Sequence, residues 1–236
     1  MKPITIAFDG CSATGKSTTA KAVAGRLGYV FIDTGAMYRA VALYCLDNDI
    51  EIAADNPLLE AALGDIEIEF HLNPETNHRD MFLNGKNVEL EIRTLRVSEV
   101  VSEIAAISSI RKKLVAMQKE MGQKGGVVMD GRDIGTVVFP HAELKIFLTA
   151  EMDVRVERRM RELTRKGKPA TPEQVRENIN HRDHIDSTRK DSPLKKADDA
   201  IEIDTTTHSI ESQTKIVVAM ANEIIAKRES KAGTSS

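Results

Sequence analysis

Residues 10–17 read Gly-Cys-Ser-Ala-Thr-Gly-Lys-Ser, a fit to the pattern G-x-x-x-x-G-K-[ST]. The stretch lies between an apolar run at 4–8, which predicts a buried strand, and a helical pattern that continues to about residue 27. The placement matters as much as the letters. Glycines let the backbone curl so that successive N–H groups face inwards, and the start of the following helix adds a positive dipole. Lys16 can then reach the β- and γ-phosphates of a nucleotide, and the Ser17 hydroxyl can ligate Mg²⁺. A glycine turn with a surface lysine is the competing explanation, and the strand–helix context weighs against it. The loop predicts a nucleoside triphosphate site.

Outward from this loop, short β-rich runs alternate with helical patterns. Strands are expected at 4–8, 29–32, 127–129, 144–148 and 201–203, with a second helix at about 36–46. Such alternation implies an α/β fold, a parallel sheet covered on both faces. Two segments break the rhythm. Residues 66–72 alternate apolar and polar, and 80–90 contain Asn84-Gly85, a hairpin signal. A small antiparallel insertion is therefore expected at about 62–92. Residues 155–168 carry seven Lys or Arg against two Glu. They precede Thr171-Pro172-Glu173-Gln174, a helix start with a capping box. One domain is expected over 1–227, with a flexible polar tail at 228–236.

The composition narrows the classes of function. Of the 236 residues 41% are hydrophobic and 29% charged, enough for a sizeable core and a solvated surface. Trp is absent, aromatics are 4% and the net charge is −3, so neither a stacking platform nor a global positive field favours nucleic acid. Cys11 and Cys45 form no metal-ligand spacing and no disulfide framework, as expected in a reducing cytoplasm. The start, MKPITIAF, is too short an apolar run for a signal peptide or membrane span. No coiled-coil seam is present, and a monomer is expected.

A triphosphate loop alone does not say where the phosphoryl group goes. The GTPase patterns D-x-x-G and N-K-x-D do not occur here. A small kinase should show a second anion site for its acceptor and cations able to close over the migrating group. Arg39 follows the second strand at the carboxyl edge of the sheet, where open α/β sheets bind ligands. Arg132 follows a later strand and should reach the same edge. Arg182, Asp186 and Arg189 stand at i, i+4 and i+7 and share one helix face. The blander reading of that trio is an ion-pair ladder on a solvated helix. The basic stretch at 155–168 has two readings as well, a charged helix face or a lid that excludes water. The cluster His181, His184 and Asp186 is a weak candidate for a metal site. Asp130-Gly-Arg-Asp133 pairs two acids around a base, which suits a catalytic dyad, a metal or a ligand grip.

With residues 10–17, DTGAMYR (33–39), SEIAAISSIR (102–111), DGRDIGTVVFP (130–140) and HRDHIDSTRKDSPL (181–194) in this order, the chain resembles the bacterial cytidylate kinases. The resemblance covers about 4–227 and includes the 62–92 insertion. It implies a P-loop kinase core that moves a phosphoryl group from ATP, with Mg²⁺, to CMP or dCMP, with no nucleic-acid or membrane partner. Gly10, Cys11, Ser12, Ala13, Thr14, Gly15, Lys16, Ser17 and Thr18 would bind the ATP phosphates, with Ser17 on the metal. Arg39, Arg132 and Arg189 would hold the acceptor phosphate, and Thr34 belongs to the same site. Ser102, Arg111 and Asp133 would face the cytosine, and Arg182 with Asp186 the sugar. Lys16, Arg132 and Arg158, the last from a lid at about 155–170, would carry catalysis. Cys11 and Thr14 depart from the usual loop residues, with little effect expected because the backbone faces phosphate. Kinases for UMP or shikimate, and a nucleotide-dependent switch with negligible turnover, remain as rivals.

Overall fold

The apolar run that begins with Ile4 becomes a central strand because both of its faces are covered: Ile4, Ile6, Ala7 and Phe8 are all buried. In the computed structural model, residues 3–75, 78–165, 167 and 170–233 are described. The first half of the chain gives β1 (Thr5–Gly10), α1 (Lys16–Leu27), β2 (Val30–Asp33), α2 (Thr34–Asp47) and α3 (Pro57–Asp65). The strands β3 (Ile68–Asn73), β4 (His78–Leu83) and β5 (Lys86–Asn87) follow, then α4 (Leu95–Ala106) and α5 (Ser108–Gly122). The second half gives β6 (Val127–Asp130), β7 (Leu144–Thr149), α6 (Met152–Arg165), α7 (Pro172–Thr188), β8 (Ile201–Asp204) and α8 (Ile210–Gly233).

The main sheet has the order β2-β6-β1-β7-β8, and every neighbouring pair is parallel. One face packs Ile4, Ile6, Phe8 and Val128 against Val23 of α1 and Val217 of α8. The other packs Ala7, Ile32 and Met129 towards Ile134 and Val138, which lie in a π-helical turn after β6. A third apolar cluster joins α2, α4 and α5 to Ile68, Met81 and Leu83 of the small sheet. Among the described residues, no helix is long and apolar enough to cross a membrane.

The expected insertion is present as an antiparallel sheet, β3-β4-β5. Its second turn uses Asn84 and Gly85, both at positive φ, as the Asn-Gly signal predicts. The capping box also forms: the Thr171 hydroxyl accepts from the Gln174 N–H, and the Gln174 side chain accepts from the Thr171 N–H. Two boundaries differ from expectation. The second helix starts at Thr34, because the Asp33 side chain accepts from the Ala36 N–H and caps it. The last helix continues to Gly233 across most of the stretch expected to be a tail, and 234–236 lie outside the described residues. Of the expected lid at about 155–170, residues 155–165 lie in α6, while 166, 168 and 169 lie outside the described residues.

Gly125 and Gly126 launch β6 with both φ near +70°, and the Gly126 N–H donates to the Ile4 carbonyl while its own carbonyl accepts from Val30. A Cβ on Gly125 would stand 2.3 Å from the Pro3 carbonyl oxygen, a backbone atom that cannot swing away. Gly125→Ala should therefore cost about 2–4 kcal/mol, the sum of left-handed strain and overpacking. Urea unfolding checks this, with the activity of the remaining folded protein unchanged.

Candidate active site

The parallel registers place Gly10, Asp33 and Asp130 at one edge of the sheet, with Phe8 and Asp33 both aligned on Asp130. The loop after β1 can pass close to β7 only because Gly10 lacks a side chain. A Cβ there would meet the Leu148 carbonyl oxygen at 2.1 Å. At the other end of the loop Gly15 takes φ +93° and leaves the start of α1 without a side-chain cap. The first N–H groups of α1 are thus free of side-chain competition for an anion. Lys16 folds along the loop, its Nζ donating to the Cys11 carbonyl at 2.5 Å and to Thr14 Oγ1 at 3.5 Å. Burial, and then Arg132, hold the Lys16 ammonium below the usual lysine range.

Ser17 and Asp130 meet beneath this loop. Ser17 Oγ donates to Asp130 Oδ2 at 2.6 Å, while Asp130 Oδ1 is buried with no hydrogen-bond partner. Burial first, and Asp33 beside it second, push the Asp130 carboxyl above the usual range. Asp33 itself is pushed up by burial but held below its ordinary value by Arg93, whose guanidinium lies 2.8 Å away. Two hard oxygen ligands with one unsatisfied lone-pair atom suit a small divalent cation.

A cavity of about 340 Å³ runs from the loop to α4 and α7. Ser12 to Thr18, Thr34, Arg39, Ser102, Arg111, Arg132, Asp133, Arg182, Asp186 and Arg189 all line it, so most of the residues expected from the sequence converge. Arg39 donates to Ser98 Oγ at 2.7 Å and to the Ile92 carbonyl. Burial, with Arg182 and Arg93 nearby, lowers its pKa to about 9. Arg182 is likewise lowered to about 10 by burial and by Arg132, and its buried Nε has no partner. Arg132 Nε donates to Asp186 at 2.7 Å. Arg189 lies 3.4 Å from Asp186 and 3.8 Å from Asp133. Crowded, desolvated guanidiniums repel one another, and an anion among them relieves that strain.

At the far wall, Asp133 pairs with Arg111 at 2.5 Å, both nearly inaccessible. Arg111 also donates to the Ala105 carbonyl and lies over the Tyr38 ring, 5.5 Å from its centroid. Thr34 Oγ1 donates to the Asp130 carbonyl, tying the start of α2 to the end of β6. Asp9, the last carboxylate of the group, accepts from the N–H groups of Ile134 and Gly135 at 2.8 and 2.7 Å and so shapes the loop that presents Asp133.

Three of the expected residues lie outside the cavity lining. Gly10 and Cys11 stand at the β1 end of the loop, just before the residues that line the cavity. Arg158 does not line it either: it donates to the Thr14 carbonyl and to Thr205, at the back of the loop, while Arg159 takes the wall. The cause is the helical turn, which directs neighbouring residues about 100° apart. Among the described residues, no group of three or more His, Cys, Asp or Glu able to hold a metal ion occurs, at His181 and His184 or elsewhere. Arg93, Arg159 and Tyr38 were not anticipated. Arg159 could be had from the lid by helical phase, whereas nothing local in sequence joins Arg93 to Asp33.

The family model for cytidylate kinase matches residues 6–223. The chain is similar to the cytidylate kinase of Parabacteroides distasonis, 53% identical over 217 residues, covering 90% of this chain and 94% of that one. It is similar to that of Flavobacterium psychrophilum, 51% identical over 226 residues, covering 95% and 100%. Among solved structures, an uncharacterized protein from Eubacterium ventriosum shares the fold with a TM-score of 0.50 at 10% identity, covering 94% of this chain and 99% of that one.

Burial raises the Asp9 pKa to about 6. A carboxyl raised in the folded state adds stability that is complete below the unfolded value and is lost as pH rises through the folded one. Asp9→Asn cannot ionise, so its stability relative to wild type should improve by on the order of 2–3 kcal/mol between about pH 4 and pH 7. Thermal melts of both proteins across that range check this; a difference independent of pH contradicts it.

Proposed function

The chain belongs to the cytidylate kinase family and phosphorylates CMP at the expense of ATP; on that premise we propose how its residues bind the two nucleotides and which related substrates it accepts. The observation that carries the assignment is the buried Asp133–Arg111 pair at one end of a cavity whose other end is the phosphate loop. A cytosine amino group is a donor that calls for a carboxylate, and its O2 and N3 are acceptors suited to Arg111 and the Ser102 hydroxyl. Uracil would present O4 to Asp133 and meet lone-pair repulsion. The deoxyribose of dCMP leaves these base contacts intact, so dCMP is accepted as well.

The loop N–H groups and Lys16 take the donor phosphates, and Arg39, Arg132 and Arg189 take the acceptor phosphate. Arg182 and Asp186 lie on the sugar side. Arg159, rather than Arg158, faces the migrating group from α6. Ser17 and Asp130 are the residues that would hold Mg²⁺. The chemistry supplied there is neutralisation of charge across the donor phosphates. The acceptor phosphate, with a second pKa of about 6, is already a nucleophile near neutral pH, so no side chain is needed as a general base. Catalysis then rests on positioning and on preorganised positive charge. The free cysteines and the absence of a disulfide framework favour the cytoplasm, where we place the enzyme as a monomer.

Kinetics with CMP, dCMP, UMP and shikimate as acceptors tests the assignment. ADP should form with CMP and dCMP, and negligible ATP consumption with every acceptor would favour a switch. Asp133→Ala should lower the CMP-to-UMP ratio of kcat/KM at least about tenfold, because a lost base contact is felt only by the base that used it. Arg39→Ala should weaken every monophosphate about equally. An unchanged ratio in the Asp133 variant removes that residue from base reading.

Because burial keeps Asp130 protonated to higher pH than an ordinary carboxylate, metal binding there must displace a proton. The Mg²⁺ concentration for half-maximal rate should therefore rise as pH falls from about 8 to about 6. Asp130→Asn should need more Mg²⁺ throughout and show a shallower dependence on pH, which a metal titration at each pH reads directly.

A further inference from the structure

Ser12 is gripped at every polar atom by side chains from α6, α7 and the segment after β6. Its N–H donates to Asp183 Oδ1 of α7 at 3.0 Å. Its carbonyl accepts from Arg155 Nε of α6 at 2.7 Å. Its hydroxyl accepts from Arg132 Nη2 at 3.0 Å. Arg155 and Asp183 are themselves paired, and Arg132 is bonded through Nε to Asp186, one turn along α7 from Asp183. The next loop residue, Ala13, takes a left-handed φ of +59° and packs on the apolar cluster of Val156, Leu163, Val175 and Ile179 that joins α6 to α7. The apex of the phosphate loop is thus held by the α6–α7 pair on both its polar and apolar sides.

This arrangement goes beyond holding the loop in place. Arg182 and Asp186 face the acceptor cavity, while Asp183, adjacent on the same helix, faces the donor loop. A shift of α7 on filling the acceptor site must be felt at Ser12, because a buried N–H cannot stay unpaired without cost. We infer that Asp183, seconded by Arg155, is a positioning residue that couples acceptor binding on α7 to the geometry of the ATP-binding loop. It also gives the basic helix a second purpose: Arg155 anchors the foot of the expected lid to the loop that the lid covers. The inference rests on CMP being the acceptor, as proposed above, and adds the physical link between the two sites.

The test is a coupling measurement. The affinity of a non-hydrolysable ATP analogue is determined by calorimetry with and without CMP, for wild type, Asp183→Ala and Asp183→Asn. In wild type, CMP should tighten analogue binding about fivefold or more, the lower end of ordinary coupling between sites. In Asp183→Ala that factor should fall to within about twofold of unity, with KM for ATP raised about tenfold. The CMP-to-UMP preference, set elsewhere by Asp133, should stay as in wild type. Asp183→Asn keeps an acceptor for the Ser12 N–H but loses the charge facing Arg155, and should fall between the two. A residue that merely stabilised the fold would lower the melting temperature and the active fraction while leaving both the coupling factor and KM for ATP unchanged. That result overturns the inference, as does a wild type in which CMP leaves analogue affinity untouched. Should the alanine variant not fold, the same readouts on Asp183→Asn decide. A wild type that turns over no CMP at all defeats the substrate assignment instead, so the two failures are distinguishable.

Discussion

Parallel pairing of β1 with β6 on one side and β7 on the other is the constraint on which the site depends. Each pair fixes where a strand ends, so Asp33 and Asp130 finish level with one another and β1 runs two residues further, to Gly10. The three loops that follow carry the phosphate-binding backbone, the start of α2 and the Asp130–Asp133 segment. None of these could be moved to another edge without reversing a strand. Helix α1 then starts at the loop with its uncapped N–H groups aimed into the same space.

That convergence carries an electrostatic cost. Arg39, Arg132, Arg182 and Arg189 crowd one cavity, and burial lowers the pKa of Arg39 and Arg182. The acids are distributed to contain it. Asp186 holds Arg132 and Arg189, Asp133 holds Arg111, and Asp33 holds Arg93. Only partial neutralisation results, which leaves a preorganised field for phosphates and for the charge that migrates between them. The insertion contributes as well. Arg93 follows its last strand, and Glu89 within it pairs with Arg93 at 2.9 Å, so the small sheet is tied to the acceptor end of the cavity.

Much of this was legible in the sequence because it is local. The phosphate loop is eight consecutive residues whose spacing encodes its geometry. The Asn84-Gly85 turn and the Thr171–Gln174 capping box are likewise satisfied within a few residues. The convergence of Arg39, Arg132, Arg182 and Arg189 followed from strand ends and helix phase together. Long-range pairings were not legible. Nothing in the residues around Asp183 says that it bonds to Ser12, nor does anything around Arg93 point to Asp33. The substitution of Arg159 for Arg158 shows the limit within one helix: a basic run predicts a charged face, but which arginine meets the cavity depends on how α6 is rotated. Asp130 illustrates an intermediate case, since the sequence gives its place at a strand end while its pairing with Ser17 needs the fold.

The central claim is that donor and acceptor share one cavity and react directly, without a side-chain intermediate. The most direct measurement is the stereochemical course at phosphorus, using ATP made chiral at its γ-position with a thiophosphoryl group and oxygen isotopes. A single in-line transfer to CMP inverts the configuration. Inversion is the result this account predicts; retention would mean two successive transfers through an enzyme-bound group, and would contradict it.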